Sequence, residues 1–271
     1  MPLAGQLGPL GVATRRESGG DPDATAFLTA AAISDATQRS AVNQLVLDLK
    51  AASLWSKLHA LYPFVGGTEA AHKFNLKDPR DLDAAFRLQF DGGARIHSAG
   101  GYQPNAVSWG RSKFIPNDHL PPNSSHMSYY SRTDSAAADM AEIGCFNWDA
   151  AFTRQHLIIH YIGVNGFYYS QGSGSLVFVA SPSSQGFFVG SRRASATQMA
   201  YKNGVLLETT FQTFTGHGTH EATVGALNGY LSAPSDRECA FASIGEGLTD
   251  GENAALYTAV QTYQTTLGRQ V

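Results

Sequence analysis

The sequence is poor in charge. Lys, Arg, Asp and Glu make up 15% of its 271 residues, against roughly 25% in an ordinary domain. Gly, Ser, Thr, Ala and Asn fill the gap, as in a β-rich chain with many turns or a surface packed against neighbours. The formal net charge is −3, with no basic block or stripe, so the electrostatic footprint of nucleic-acid binding is missing. No stretch of about 18 apolar residues exists, and no membrane insertion is expected. Cysteine is nearly absent. Cys145 and Cys239 make no disulfide framework. Their apolar, strand-like contexts read as buried free thiols, and a bridge stays open only if the two strands are neighbours. Residues 1–18 have no apolar run behind a basic start, so no secretory signal is expected, and the chain is expected to fold in a cytoplasm. A phosphate loop, a dinucleotide fingerprint and a Gly-x-Ser-x-Gly elbow before a helix are missing too. No cofactor is expected.

What is present suffices for one or two domains with a sizeable core. Residues 1–20, rich in Gly, Pro, Leu and Ala without periodicity, read as an extended arm that is either free or docked on a neighbouring subunit. Residues 21–75 read as a helical attachment segment. Asp21 or Asp23 caps a first helix carrying Ala24, Phe27, Leu28 and Ala31 on one face. Asp35 with Gln38 approximates a capping box for a second, where Val42, Leu45, Val46 and Leu49 recur at i, i+3, i+4, i+7. A third short helix, with Leu54, Trp55, Leu58 and Leu61, is expected to stop before Pro63. Phe64 to Asn75 reads as a loop.

From Ala84 the apolar period changes to two. About eleven strand candidates follow at short spacing: Ala84–Phe90, Ser125–Arg132, Ala141–Phe146, Arg154–Ile162, Gly166–Gln171, Leu176–Ser181, Gly186–Arg192, Gln198–Lys202, Val205–Thr210, Glu221–Leu227 and Glu238–Ile244. Asn203-Gly204 suits a type I′ hairpin turn, where both central residues need positive φ. Many short strands with Gly-rich turns mean a mainly β sandwich or barrel over 76–271. Thr249 and Glu252 form a capping box, and Leu256, Val260, Tyr263 and Leu267 place a C-terminal helix from about Asp250 to Leu267.

Candidate chemistry is sparse. His156 and His160 lack the Glu that a zinc-protease helix needs beside its first His. On a strand they stand about 13 Å apart, too far to share a metal. His217, His220 and Glu221 share a loop, where a solvated loop is the simpler account. Asp134, Asp139 and Glu142 are the nearest approach to the paired carboxylates of a glycosidase, roughly 5 to 10 Å apart, and their spacing does not match. Glu246 stands alone before the last helix. No catalytic residue and no metal site is expected. Aromatic residues offer more, because sugars stack apolar ring faces on them. Trp109 and Trp148, in polar Gly/Asn/Asp contexts, and Tyr102 are the candidate ligand contacts. Core or subunit packing competes with that role. Tyr129-Tyr130 and Tyr168-Tyr169, on strands, place one ring on each face.

Two resemblances arise from these residues. The hairpin Met199 to Leu206 resembles that of concanavalin A-like/laminin-G-like jelly-roll domains. The ending from Ala240 to Asp250 and from Leu256 to Val271 is similar to the C-terminus of tailed-bacteriophage virion structural proteins of the tail-fibre or appendage kind. Ala41 to Lys50, Tyr62 to Thr68, His72 to Pro79 and Ser128 to Thr133 resemble the same family. The resemblance implies a concanavalin/laminin-G-like jelly-roll sandwich with a short N-terminal helical segment and a C-terminal helix. It also implies a structural, non-enzymatic virion component made in the host cytoplasm. Its expected partners are other virion proteins, further copies of itself in a homo-oligomer, and a host-surface glycan. A free-standing carbohydrate-binding module is the alternative, and a polysaccharide-degrading enzyme the third reading.

Overall fold

The structure is a computed structural model that describes residues 20–135, 140–148, 153–161, 164–227 and 234–271, without the side chains of 155–161 and 164–165. The expected arm, Asp139, and the side chains of His156 and His160 therefore lie outside the described residues.

Local signals produce the helices. Asp21 caps α1 (Pro22–Ala30) by accepting from the Asp23 amide. Asp35 caps α2 (Ala36–Ala51) by accepting from the Gln38 amide at 2.8 Å. Gln38 does not close the box; its Oε1 accepts from the Gly66 N–H instead. The reciprocal box of Thr249 and Glu252 is present at α5 (Asp250–Thr266). Two four-residue helices, α3 (Glu69–His72) and α4 (Pro116–His119), sit in loops.

Among the described residues the strands form two antiparallel sheets. The first runs in the order β13 (Val205–Phe211), β12 (Thr197–Lys202), β11 (Gly186–Ala194), β6 (Ser125–Ser131), β15 (Cys239–Gly245), β4 (Gly101–Gln103), β3 (Ile96–Ser98), and β1 (Leu58–Tyr62) also pairs with β15. The second runs β10 (Val177–Ala180), β9 (Val164–Ser173), β8 (Arg154–Tyr161), β7 (Ala141–Phe146), β14 (Thr223–Val224), β5 (Ser108–Arg111), β2 (Gln89–Gly92). Asn203 and Gly204 turn between β12 and β13 with φ of 51° and 75°, as the type I′ geometry requires.

Alternation along the first sheet divides its side chains between two cores. Tyr130, Phe187, Val189, Tyr201 and Phe241 face α1, α2 and α5, joining Phe27, Leu45, Leu49, Leu256 and Val260. Tyr129, Phe188, Ala200, Ala242 and Ile244 face the second sheet, joining Phe90, Ile143, Phe167, Tyr169 and Val224. The molecule is thus a β-sandwich with a helical layer on one sheet, and the mainly β fold with terminal helices is as expected.

The expected third helix is corrected. Only Trp55–Lys57 makes a short 3-10 turn, and Leu58–Tyr62 becomes β1, paired with Ala242 to Gly245. Leu54, Leu58 and Leu61 are buried and Trp55 is half-buried, but pairing to β15 overrides the helical period. The expected strand from Ala84 is shortened: Asp83–Ala85 is a 3-10 turn, Phe86 takes φ 59°, and β2 begins at Gln89. The expected strand Glu221–Leu227 keeps only Thr223–Val224 as β14, because Gly225 turns away at φ 87°. Cys145 and Cys239 are free and buried, on strands of different sheets. Burial pushes the Cys145 thiol up to about 12.

Candidate functional site: a cleft between α4 and the loop before β14

Three segments converge on an open cleft of about 550 Å³. The Asp83–Ala85 turn supplies Asp83 and Phe86, the chain around α4 supplies Lys113 and His119, and the loop before β14 supplies His220 and Glu221. Phe86 and Lys113 both hold left-handed backbone, φ 59° and 61°. Such conformations are costly for non-glycine residues and persist where surrounding contacts enforce them. At Phe86 the enforcing contact is the Tyr62 hydroxyl, which donates to the Phe86 carbonyl at 2.7 Å.

The half-buried Phe86 ring packs edge-on against Phe114 and His119, with centroids 4.9 and 4.8 Å away. The exposed His119 ring also lies 5.1 Å from Phe114. Charged side chains line the cleft as well. Glu221 pairs with Arg111 at 3.2 Å and with Lys113 at 3.8 Å, and Arg111 pairs with Asp91 at 2.6 Å. Asp83 pairs with Arg87 at 2.9 Å. The cleft therefore offers aromatic edges beside charged hydrogen-bonding groups.

The loop that carries His220 and Glu221 is tied down on both sides. Asn117 donates its amide to the Gly218 carbonyl, and Ala222 donates to the Phe114 carbonyl. Asn147 accepts from Thr219. His217 is buried and donates from Nε2 to the Pro121 carbonyl at 2.8 Å, whereas His220 is exposed in the cleft. The two loop histidines thus play separate roles. Among the described residues no group of three or more His, Cys, Asp or Glu side chains could hold a metal ion.

The three expected ligand contacts part company. Trp148 follows Asn147 and is 68% exposed, with its ring edge-on to Phe146 at 4.6 Å. Its neighbour Asn147 bonds Thr219 of the cleft loop, but the Trp148 side chain is not among those lining the cleft. Trp109 is half-buried and packs on β2, where a Cβ on Gly92 would collide with its ring. The register Arg111–Thr223–Gly144 sets Trp109 about six residues behind Trp148 along the strands, about 20 Å. Tyr102 is corrected: it is fully buried, stacked on His97 at 5.2 Å, with its hydroxyl 3.3 Å from Ser108. It cannot meet a ligand. Tyr129 and Tyr130 are both buried, on opposite faces of β6. Sequence reasoning missed Phe86, Lys113 and His119. No local pattern announces them, since three separate segments must meet.

Of the two described members of the expected acidic cluster, Asp134 is exposed and Glu142 lies inside the fold. It is fully buried and paired with the equally buried Arg237 at 2.8 Å. Glu246 lies at the surface, 3.8 Å from His59.

No family model matches this sequence, and no curated protein matches it. Solved structures do. The chain is similar to a sialidase of Trypanosoma rangeli, seen in complex with sialic acid, at 10% identity and a TM-score of 0.51, over 79% of this chain and 38% of the sialidase chain. The same sialidase with the inhibitor DANA matches at 10% identity and 0.51, over 81% and 38%. Domain 4 of AbnA, a GH43 extracellular arabinanase of Geobacillus stearothermophilus, matches at 16% identity and 0.49, over 74% of this chain and 98% of that domain. The chain thus spans less than half the length of the sialidase it resembles. At such identities the likeness concerns the fold alone.

Proposed function

We propose that this chain is a glycan-binding protein that recognises a saccharide in the Phe86 cleft without cleaving it. The observation that carries the reading is the convergence of the Phe86 and His119 rings with Lys113, His220 and Glu221 in one cleft. Aromatic surface takes the apolar face of a sugar ring, and the charged rim takes its hydroxyls. The test is a glycan array followed by calorimetry, with sialic acid and arabinan oligosaccharides among the first probes. No binder on the array, for wild-type protein at high concentration, would reject this reading.

A second reading is a glycosidase, favoured by the presence of Asp83 and Glu221 in the same cleft, since that chemistry needs two carboxylates. Against it, each carboxylate already faces an arginine. Release of reducing ends from a bound polysaccharide, abolished by Glu221→Gln, would replace binding with hydrolysis.

The setting of this activity is proposed from the sequence resemblance: a bacteriophage tail or capsid appendage that displays the sandwich toward a host-surface glycan. Mass spectrometry of purified particles tests it. Particles that lack the chain would leave a free-standing carbohydrate-binding module.

A further inference from the structure

Both sheets end on the same side of the sandwich. β13 closes the order of the first sheet and β10 that of the second, and the two strands lie beside each other. An edge strand presents unpaired N–H and C=O groups, which proteins usually blunt with charge, proline or a cover. Here the edges are apolar. On β13, Val205 is 61% exposed and Phe211 80%, with Leu206 and Leu207 also exposed; Leu176 and Phe178 at β10 are exposed as well. Glu208 is the single charge on β13. A β-bulge lies where Leu206 and Glu208 face consecutive residues of β12.

We propose that this double edge is the interface of a homodimer, in which β13 pairs antiparallel with β13 of a second copy and β10 meets β10. The occupant follows from geometry. A twofold axis normal to the sheets sets each edge against its own duplicate, at the same inter-sheet spacing, and so covers both edges at once. A single peptide strand added to β13 would leave β10 and its exposed Phe178 wet. The six apolar side chains expose several hundred Å² together, the order that one partner contributes to a standard interface of about 800 Å² per side. The inference stands apart from the glycan reading, since the cleft is formed by the segments just before β2, just after β5 and just before β14, strands at the opposite end of the second sheet.

Sedimentation equilibrium of the full chain tests it, for wild type, Leu207→Lys/Phe211→Lys, Phe178→Lys and the control Leu47→Lys. Leu47 is an exposed leucine on α2, away from both edges. Wild type and control sediment at about twice the 28.9 kDa chain mass, and the edge variants raise the dimer dissociation constant at least about tenfold. Circular dichroism of the edge variants stays that of the wild type, because the substituted side chains are exposed. Hydrogen exchange of the 205–211 amides slows as wild-type concentration rises. A monomeric wild type, a trimer, or a dimer untouched by both edge variants would overturn the proposal.

Discussion

Asn147 Oδ1 accepts two hydrogen bonds from Thr219, one from its amide at 2.9 Å and one from its hydroxyl at 3.1 Å. The Asn147 amide in turn donates to the Thr153 carbonyl. One buried side chain beyond β7 thereby holds the loop that brings His220 and Glu221 to the cleft. Asn147→Ala removes both bonds and costs about 1–2 kcal/mol in urea unfolding. It also weakens saccharide binding several-fold. Unchanged affinity in calorimetry would show that Asn147 does not position this loop.

The two tryptophans separate binding from stability. Trp148→Ala lowers saccharide affinity about tenfold or more, equivalent to about 1.4 kcal/mol, and leaves the melting temperature in place because the ring is already exposed. Trp109→Ala opens a hole over Gly92 and costs about 2–3 kcal/mol of stability, while the folded variant binds normally. Calorimetry beside thermal unfolding reads both. The opposite pattern would move the ligand toward Trp109.

Glu142 and Arg237 form an ion pair with both side chains fully buried. Ser235 also donates to Glu142, at 3.1 Å, and Arg237 donates to the Ser135 carbonyl at 2.7 Å. The pair joins β7 to the segment leading into β15. Arg237→Ala leaves a carboxylate buried and is expected to cost about 3–5 kcal/mol by urea unfolding. A loss below about 1 kcal/mol would mean that water reaches Glu142 freely.

Acid removes stability through histidines whose pKa burial lowers, among them His59 and His217 and, furthest down, three others. Burial, with the adjacent His97 adding to it, holds His72 down at about 3. Burial holds His97 at about 4 against the pull of Glu69, and holds His126 at about 4 although the Glu246 carbonyl accepts its Nδ1–H. A lowered folded pKa means that the unfolded chain binds protons first, beginning near 6.5. The contribution is complete above that pH and is lost as the pH falls from 6.5 toward 4. Each fully buried ring then contributes on the order of 2–3 kcal/mol less. Urea midpoints measured between pH 7 and pH 4 check this, and His126→Gln should flatten the decline. A midpoint that stays level to pH 4 would mean that these rings titrate normally.

The sandwich was legible wherever the determining physics is local. Asn203-Gly204 needs positive φ at both positions whatever surrounds it, and the hairpin stands where expected. Thr249 and Glu252 close their capping box within one helical turn. The alternation of Tyr129 with Tyr130 assigned one ring to each face of β6 before any partner was known. Leu58 to Tyr62 shows the limit, because its spacing fits a helix and only β15 alongside makes it a strand. Tyr102 shows another: it was a candidate only as an aromatic residue beside a loop, and His97, Phe90 and Phe64 bury it.

The mainly β architecture, the terminal helices and their caps, and the inward and outward faces of the long strands follow from the residues alone, because period, turn chemistry and capping act over a few residues. Long-range packing settled which side chains meet. It brought Phe86, His119 and Glu221 into one cleft, gave Glu142 to Arg237, and left β13 and β10 open on the same side. Those outcomes depend on contacts between residues tens to more than a hundred positions apart, and no local pattern encodes them.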